Sequence, residues 1–175
     1  MTAARLDRAL ALVREVPDFP APGVLFRDLS PLFADADGFR AVTDALVDGL
    51  PADVDTLVAI EARGFLFGAA MAAVHGYGLV PVRKPGKLPA VADRVTYDLE
   101  YGTATLELPA DVLRPGARVA IVDDVLATGG TAAAACGLVE RAGAEVTAIT
   151  VVVEIRALDG RARLAGRNVR SLFSG

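Results

Sequence analysis

Two adjacent carboxylates, Asp123 and Asp124, stand three residues ahead of Thr128-Gly129-Gly130-Thr131. Four apolar residues, Val119-Ala120-Ile121-Val122, rise into them, and an alanine-rich run follows the glycines. The order reads as buried strand, acidic strand end, anion-cradling turn and helix start. Backbone N–H groups at a helix start are unpaired and lie at the positive end of its dipole. Glycines at 129 and 130 let that backbone approach an anion, and the hydroxyls of Thr128 and Thr131 add donors. Neighbouring carboxylates repel each other and gain from hydroxyl donors or a divalent cation. Together the two halves suit vicinal hydroxyls and a phosphate monoester, the two ends of a ribose 5-phosphate. Neither a Walker A sequence nor a G-x-G-x-x-G fingerprint occurs.

Other charged residues fall in the same kind of place. Thr56 to Ile60 reads as a buried strand and is followed by Glu61-Ala62-Arg63. Leu79 to Val82 reads as another and is followed by Arg83-Lys84. Arg118 to Val122 is the strand that ends at the paired acids. Gly64 to His75 and Thr128 to Ala142 are read as helices, and Glu145 to Val153 as a long β-branched strand. Strands alternating with helices imply βαβ units and a mostly parallel sheet, with ligands at the carboxyl ends of its strands. Three charged strand ends therefore point to one crevice.

The flanking segments are less regular. Apolar spacing predicts an amphipathic helix over Thr2 to Val16. Pro17, Pro20, Pro22 and Gly23 then forbid regular structure before a short strand-like piece, Val24 to Asp28. Asp35 or Asp37 is expected to cap a helix running to about Leu50. From Pro85 to Tyr101 the pattern breaks. Thr103 to Leu108 alternates like a strand, and Asp159 to Leu164 and Val169 to Phe173 supply a last short helix and strand.

Composition bounds the remaining possibilities. A chain of 175 residues, 53% hydrophobic and 23% charged, is one globular domain rather than a disordered segment. The net charge of −4 argues against nucleic acid as a partner. One cysteine, Cys136, and one histidine, His75, exclude an intrachain disulfide and the usual zinc sets. No signal peptide or membrane span is read, so a cytoplasmic location is expected.

Residues 119–131 resemble the phosphoribosyl-pyrophosphate motif of the type I phosphoribosyltransferases. Four further blocks narrow the resemblance: Asp18 to Pro31, Glu61 to Gly68, Arg83 to Pro89 and Leu99 to Gly102. In that order they resemble the adenine phosphoribosyltransferase family from about residue 15 onward. The resemblance implies a type I phosphoribosyltransferase fold: a mostly parallel central sheet flanked by helices, in one domain over 1–175. A small N-terminal hood, about 1–34, and a flexible lid, about 85–102, are its appendages.

It also implies the conversion of adenine and phosphoribosyl pyrophosphate to AMP and pyrophosphate, with Mg2+, in a homodimer. The ribose and 5-phosphate fall to Asp123, Asp124, Ala127, Thr128, Gly129, Gly130 and Thr131. Pyrophosphate falls to Ala62, Arg63, Arg83, Lys84 and Lys87, the arginine–lysine segment reaching toward a neighbouring subunit. The peptide joining Glu61 to Ala62 is expected to be cis. Glu100 matches the family's proton-handling carboxylate near N7 of the purine, and Tyr101 the tyrosine near the reacting centre. The base is expected between Phe26 and Ile155, its edge read by backbone around Leu25 and Arg27. Metal is expected to bind mainly through substrate and water, with no protein ligand set. The rival readings are a phosphoribosyltransferase for another purine base and a non-catalytic regulator that senses phosphoribosyl pyrophosphate.

Overall fold

The computed structural model describes residues 3–98 and 102–175. The chain divides into two compact units, Met1–Asp48 and Gly49–Gly175.

In the first unit, α1 (Ala3–Leu10) precedes a hairpin of β1 (Arg14–Pro17) and β2 (Leu25–Asp28). Short α2 (Ser30–Ala34) and longer α3 (Ala36–Asp48) follow. The first helix therefore stops at Leu10 rather than Val16, and the proline-bearing segment begins with a strand. Cross-strand charge pairing explains the switch. Arg14 faces Asp28 and Glu15 faces Arg27 in an antiparallel register, and both pairs are ion-paired. Hydrogen bonds from Ser30, then from Arg14, draw the Asp28 carboxyl down to about 2. Asp35 supplies the cap for α3, its Oδ1 accepting from the Gly38 N–H at 2.6 Å.

The second unit is an α/β sheet. Its strands are β3 (Thr56–Ile60), β4 (Gly78–Val82), β7 (Arg118–Leu126), β8 (Glu145–Glu154) and β9 (Val169–Ser174). They run parallel in the order β4-β3-β7-β8-β9. Between β3 and β4 lies α4 (Gly64–His75), and between β7 and β8 lies α5 (Gly130–Arg141). The segment between β4 and β7 forms a separate hairpin, β5 (Val91–Asp98) with β6 (Thr103–Pro109).

Alternation along β3 assigns the two faces. Val58 and Ile60 join the core that α5 closes with Ala135, Leu138 and Val139, and the hairpin adds Leu106 and Leu108 to it. Ala59 points the other way. A methyl group on Gly68 of α4 would lie 2.6 Å from its Cβ, so a glycine is what lets α4 press on that face. Removing residues such as Ile121, Ile149 and Phe67 from water stabilises the sheet by roughly 1.5–3 kcal/mol each, and all three are fully buried.

Two segments depart from expectation. Residues 85–102 are not without regular structure, because Val91–Asp98 is a paired strand. Val91, Val95 and Tyr97 face inward at every second position or its multiple, the pattern a half-buried strand requires. The last helix, expected over Asp159 to Leu164, is instead a pair of one-turn 3-10 segments at Arg156–Leu158 and Ala162–Leu164.

Candidate active site

The paired acids do not end their strand. The ladder of β7 with β8 continues through Asp123 opposite Val151 and Val125 opposite Val153, to Leu126 opposite Glu154. On the other edge, β3 gives out earlier: its last pair with β7 is Ala59 with Val122. From Asp123 onward, one side of β7 therefore has no described strand beside it. The carboxylates sit in that notch. This reconciles the expectation of an acidic strand end with a strand that runs on to Leu126.

The segment after β3 fills the notch. The Glu61–Ala62 peptide is cis, as the family resemblance implied. Gly64 begins α4 against β7. A methyl group there would lie 2.8 Å from the Val122 carbonyl oxygen and 3.0 Å from Asp123 Oδ1. This approach brings Arg63 onto β7, where its Nε pairs with Asp124 Oδ2. Asp124 is 6% exposed, so the guanidinium compensates a carboxylate that would otherwise be buried alone. The Asp124 N–H donates to Asp123 Oδ1 at 2.9 Å.

Asp123 is left with less support. Burial, then the neighbouring Asp124 charge, pushes its carboxyl well above the usual range. Glu61 moves the other way. It accepts from the Lys84 N–H at 2.9 Å and from Arg83 Nε at 3.3 Å. Those contacts, the Lys84 bond foremost, hold it below its ordinary value. Glu61 thereby ties the end of β4 to the end of β3.

Residues 127–131 make the turn into α5. Gly129 has φ +78, and α5 begins at Gly130. Such a backbone favours glycine, and it leaves the first amides of α5 without helical partners.

One pocket gathers expected residues from three strand ends and the start of α5. Ala62, Arg63, Lys84, Asp123, Asp124 and Thr131 line it together. Glu61, Tyr97 and Ala104 line it too; Glu61 is one of the charged strand ends expected at the crevice, whereas Tyr97 and Ala104 carry no role readable from sequence. Glu61 lay inside a block that was recognised, and the alternation ending at Tyr97 was legible. Arg83 does not line this pocket. Its guanidinium faces Glu61 and stands over the Phe65 ring at 5.8 Å. Lys87 is exposed, and its carbonyl oxygen accepts from Arg83 at 3.4 Å.

The remaining candidates fall elsewhere. Ile155 follows β8, its N–H donating to the Leu126 carbonyl at 2.9 Å. Leu25, Phe26 and Arg27 belong to β2 in the first unit. Phe26 packs edge-to-face on Phe19 at 5.0 Å, and the side chain of Arg27 is held by Glu15. Glu100 and Tyr101 lie outside the described residues.

A model of the phosphoribosyl transferase domain matches residues 36–167. The adenine phosphoribosyltransferase of Saccharopolyspora erythraea is 62% identical over 171 residues, covering 98% of this chain and 93% of that protein. The crystal structure of adenine phosphoribosyltransferase from Thermoanaerobacter pseudethanolicus superposes with a TM-score of 0.93 at 46% identity, covering 97% of this chain and 99% of that one. The Saccharomyces cerevisiae enzyme, solved with an imino-altritol bisphosphate and adenine, superposes with a TM-score of 0.92 at 38% identity over 98% of this chain and 99% of its own.

Proposed function

The chain belongs to the phosphoribosyl transferase domain family, among its adenine phosphoribosyltransferases, and from that membership we infer its reaction. It transfers the 5-phosphoribosyl group of phosphoribosyl pyrophosphate to N9 of adenine, giving AMP and pyrophosphate in purine salvage. The observation that carries this reading is the meeting of Asp123, Asp124 and Thr131 with Ala62, Arg63 and Lys84 in one pocket.

In this reading Asp123 and Asp124 accept hydrogen bonds from the ribose hydroxyls. The amides and hydroxyls of residues 127–131 hold the 5-phosphate. Loss of pyrophosphate from C1 develops negative charge on the leaving group, and fixed cations stabilise that charge best where water is thin. Arg63, Arg83, Lys84 and Lys87 meet it, with the Ala62 amide. Glu100 as proton carrier at N7 and Tyr101 near the reacting centre remain part of the proposal. So do the base contacts of Leu25, Phe26, Arg27 and Ile155.

Mg2+ fits this donor set. Among the described residues no group of three or more His, Cys, Asp or Glu could hold a metal. Mg2+ commonly binds through one or two carboxylates, substrate phosphates and water. Substrate oxygens and water would supply most of its shell, with Asp123 and Asp124 as the carboxylates that would face it. When bound, the ion neutralises charge on the departing pyrophosphate.

An apolar outer surface supports the reading of a homodimer. Leu66 on α4 is 48% exposed, and Leu79 on the edge strand β4 is 39% exposed. Ala69 and Ala73 extend the Leu66 stripe at helical spacing. Such a face suits a second copy of the chain. No described helix is long and apolar enough to cross a membrane, and a cytoplasmic location accompanies the reading.

Turnover with adenine, hypoxanthine, guanine and xanthine, each with phosphoribosyl pyrophosphate and Mg2+, tests the assignment. Adenine should be strongly preferred, and EDTA should abolish the reaction. Comparable rates on several bases would overturn the adenine assignment.

A further inference from the structure

We propose that the turn from Asp159 to Arg163 is a second wall of the 5-phosphate site, in which Gly160 sets the loop amides and Arg163 supplies a cation. The inference rests on the functional reading above and adds to it residues that the recognised motif does not contain.

Gly160 meets the phosphate loop backbone to backbone. A methyl group on Gly160 would overlap the Ala127 carbonyl oxygen and lie 3.0 Å from the Gly129 nitrogen. A methyl group on Gly129 would overlap the Gly160 carbonyl oxygen and lie 3.2 Å from its Cα. Each glycine thus occupies space that a side chain on the other would need. The Gly129 amide belongs to the set available to an anion at the start of α5. Its position is therefore set by a residue far along the chain.

The turn is itself firmly held. Arg161 grips Glu154 at the end of β8, Nε to Oε1 at 2.7 Å and Nη2 to Oε2 at 2.8 Å. Ser171 donates to the same carboxylate at 2.7 Å. These contacts, Arg161 foremost, hold the Glu154 carboxyl below its ordinary value. Leu164 anchors the far side of the turn in the core at 2% exposure.

Arg163 has the opposite character. It is exposed, and among the described residues no carboxylate pairs with it, whereas Arg161 and Arg167 in the same segment each hold one. Its Nη1 lies 3.5 Å from where a Cβ on Gly130 would stand. An uncommitted guanidinium beside the first residue of α5 matches a phosphate, which accepts two parallel hydrogen bonds from arginine's fork.

Calorimetric titration of ribose 5-phosphate tests the proposal on wild type, Arg163→Gln, Arg163→Lys and Gly160→Ala. Inorganic pyrophosphate serves as the control anion. Loss of one charge-assisted contact should weaken ribose 5-phosphate by about tenfold in Arg163→Gln. Arg163→Lys, which keeps the charge but not the fork, should recover only part of that loss. Pyrophosphate affinity and the melting temperature should not move, which a general structural defect would not allow. Gly160→Ala should lose ribose 5-phosphate affinity by at least as much, with the adenine KM little changed. Unchanged ribose 5-phosphate affinity in Arg163→Gln overturns the inference while wild-type turnover of adenine leaves the functional reading intact. A wild type that neither binds ribose 5-phosphate nor consumes adenine overturns the functional reading itself. Should Gly160→Ala fail to fold, the two Arg163 variants decide.

Discussion

Gly64→Ala is the smallest change that should separate the two halves of the site. The added methyl carbon would lie 2.8 Å from the Val122 carbonyl oxygen and 3.2 Å from the Asp123 Cα, whereas ordinary contact begins near 3.4 Å. Both neighbours are backbone atoms of β7, which is hydrogen-bonded on each side at Val122. The strand cannot yield, so α4 must back away by roughly half an ångström. Overfilling a packed interface costs about 1–3 kcal/mol. Alanine regains only part of its helix-propensity advantage over glycine, about 1 kcal/mol at most, because Gly64 is the first residue of α4. A net loss of about 1–2 kcal/mol lowers the Tm of a chain this size by roughly 2–8 °C. Activity should fall further than stability. Arg63 moves with the start of α4 and would lose its alignment on Asp124. Misplacing a reacting geometry by about 1 Å can cost about a hundredfold, so half that displacement should lower kcat/KM for phosphoribosyl pyrophosphate by about tenfold. Differential scanning calorimetry and steady-state kinetics read the two effects. A variant that melts with the wild type and turns over at its rate would refute the claim that this contact aligns Arg63 with the acids.

Asp123→Asn should stabilise the protein while impairing it. A carboxyl whose folded pKa is raised binds its proton more tightly when folded, so its ionised form destabilises the fold above that pKa. The penalty disappears as pH falls below the unfolded value, about 3.9. The variant should therefore melt higher than wild type at pH 8, converge with it near pH 4, and lose most turnover. A lower melting point at pH 8 would contradict the origin given for the Asp123 shift. Glu61→Gln should raise the KM for phosphoribosyl pyrophosphate by about three- to tenfold, because Glu61 accepts from both the Lys84 backbone N–H and the Arg83 guanidinium; an unchanged KM would show that this end of β4 needs no such anchor. Cys136 is fully buried, and burial pushes its thiol up to about 11, so an aromatic disulfide reagent should label it only after unfolding. Rapid labelling of the native protein would contradict its place in the core.

The elements that carry chemistry were legible because each combines an apolar run with a local breaker. Val119 to Val122 before Asp123-Asp124, and Thr56 to Ile60 before Glu61, could only be buried strands with polar continuations. What sequence could not show was how far each strand runs. Asp123 and Asp124 proved internal to β7 because β8 is long enough to pair with them, and that length is a property of the partner. The strand at Val91–Asp98 is hard to read from sequence because prolines, glycine and charges nearby outweigh its two-residue alternation. In the first unit, Arg14 and Glu15 look helical on spacing alone. Their partners Asp28 and Arg27 lie across a turn, out of reach of a helical window. The contact of Gly160 with Gly129 had no signal at all, since a lone glycine between Asp159 and Arg161 reads as an ordinary turn.

The site rests on a division between what side chains do and what backbone does. Its groups are mutually constrained: the Arg63 guanidinium is drawn to Asp124, and the Arg83 guanidinium and the Lys84 backbone N–H to Glu61, while among the described residues no ion pair holds Asp123. That leaves Asp123 as the group whose circumstances a ligand most improves, because ribose hydroxyls would donate to it and a metal ion would offset its charge. The alignment of these groups comes from elsewhere. Gly64 against β7 and Gly160 against Gly129 are contacts of backbone with backbone, each closed to a methyl group. Side chains can reorient to relieve a misfit, but such contacts cannot, so they fix distances that flexible arginines and lysines would otherwise leave loose. It follows that substitutions at these glycines should damage the reaction more than substitutions at exposed cations such as Lys87, although Gly64 and Gly160 contribute no chemical group to it.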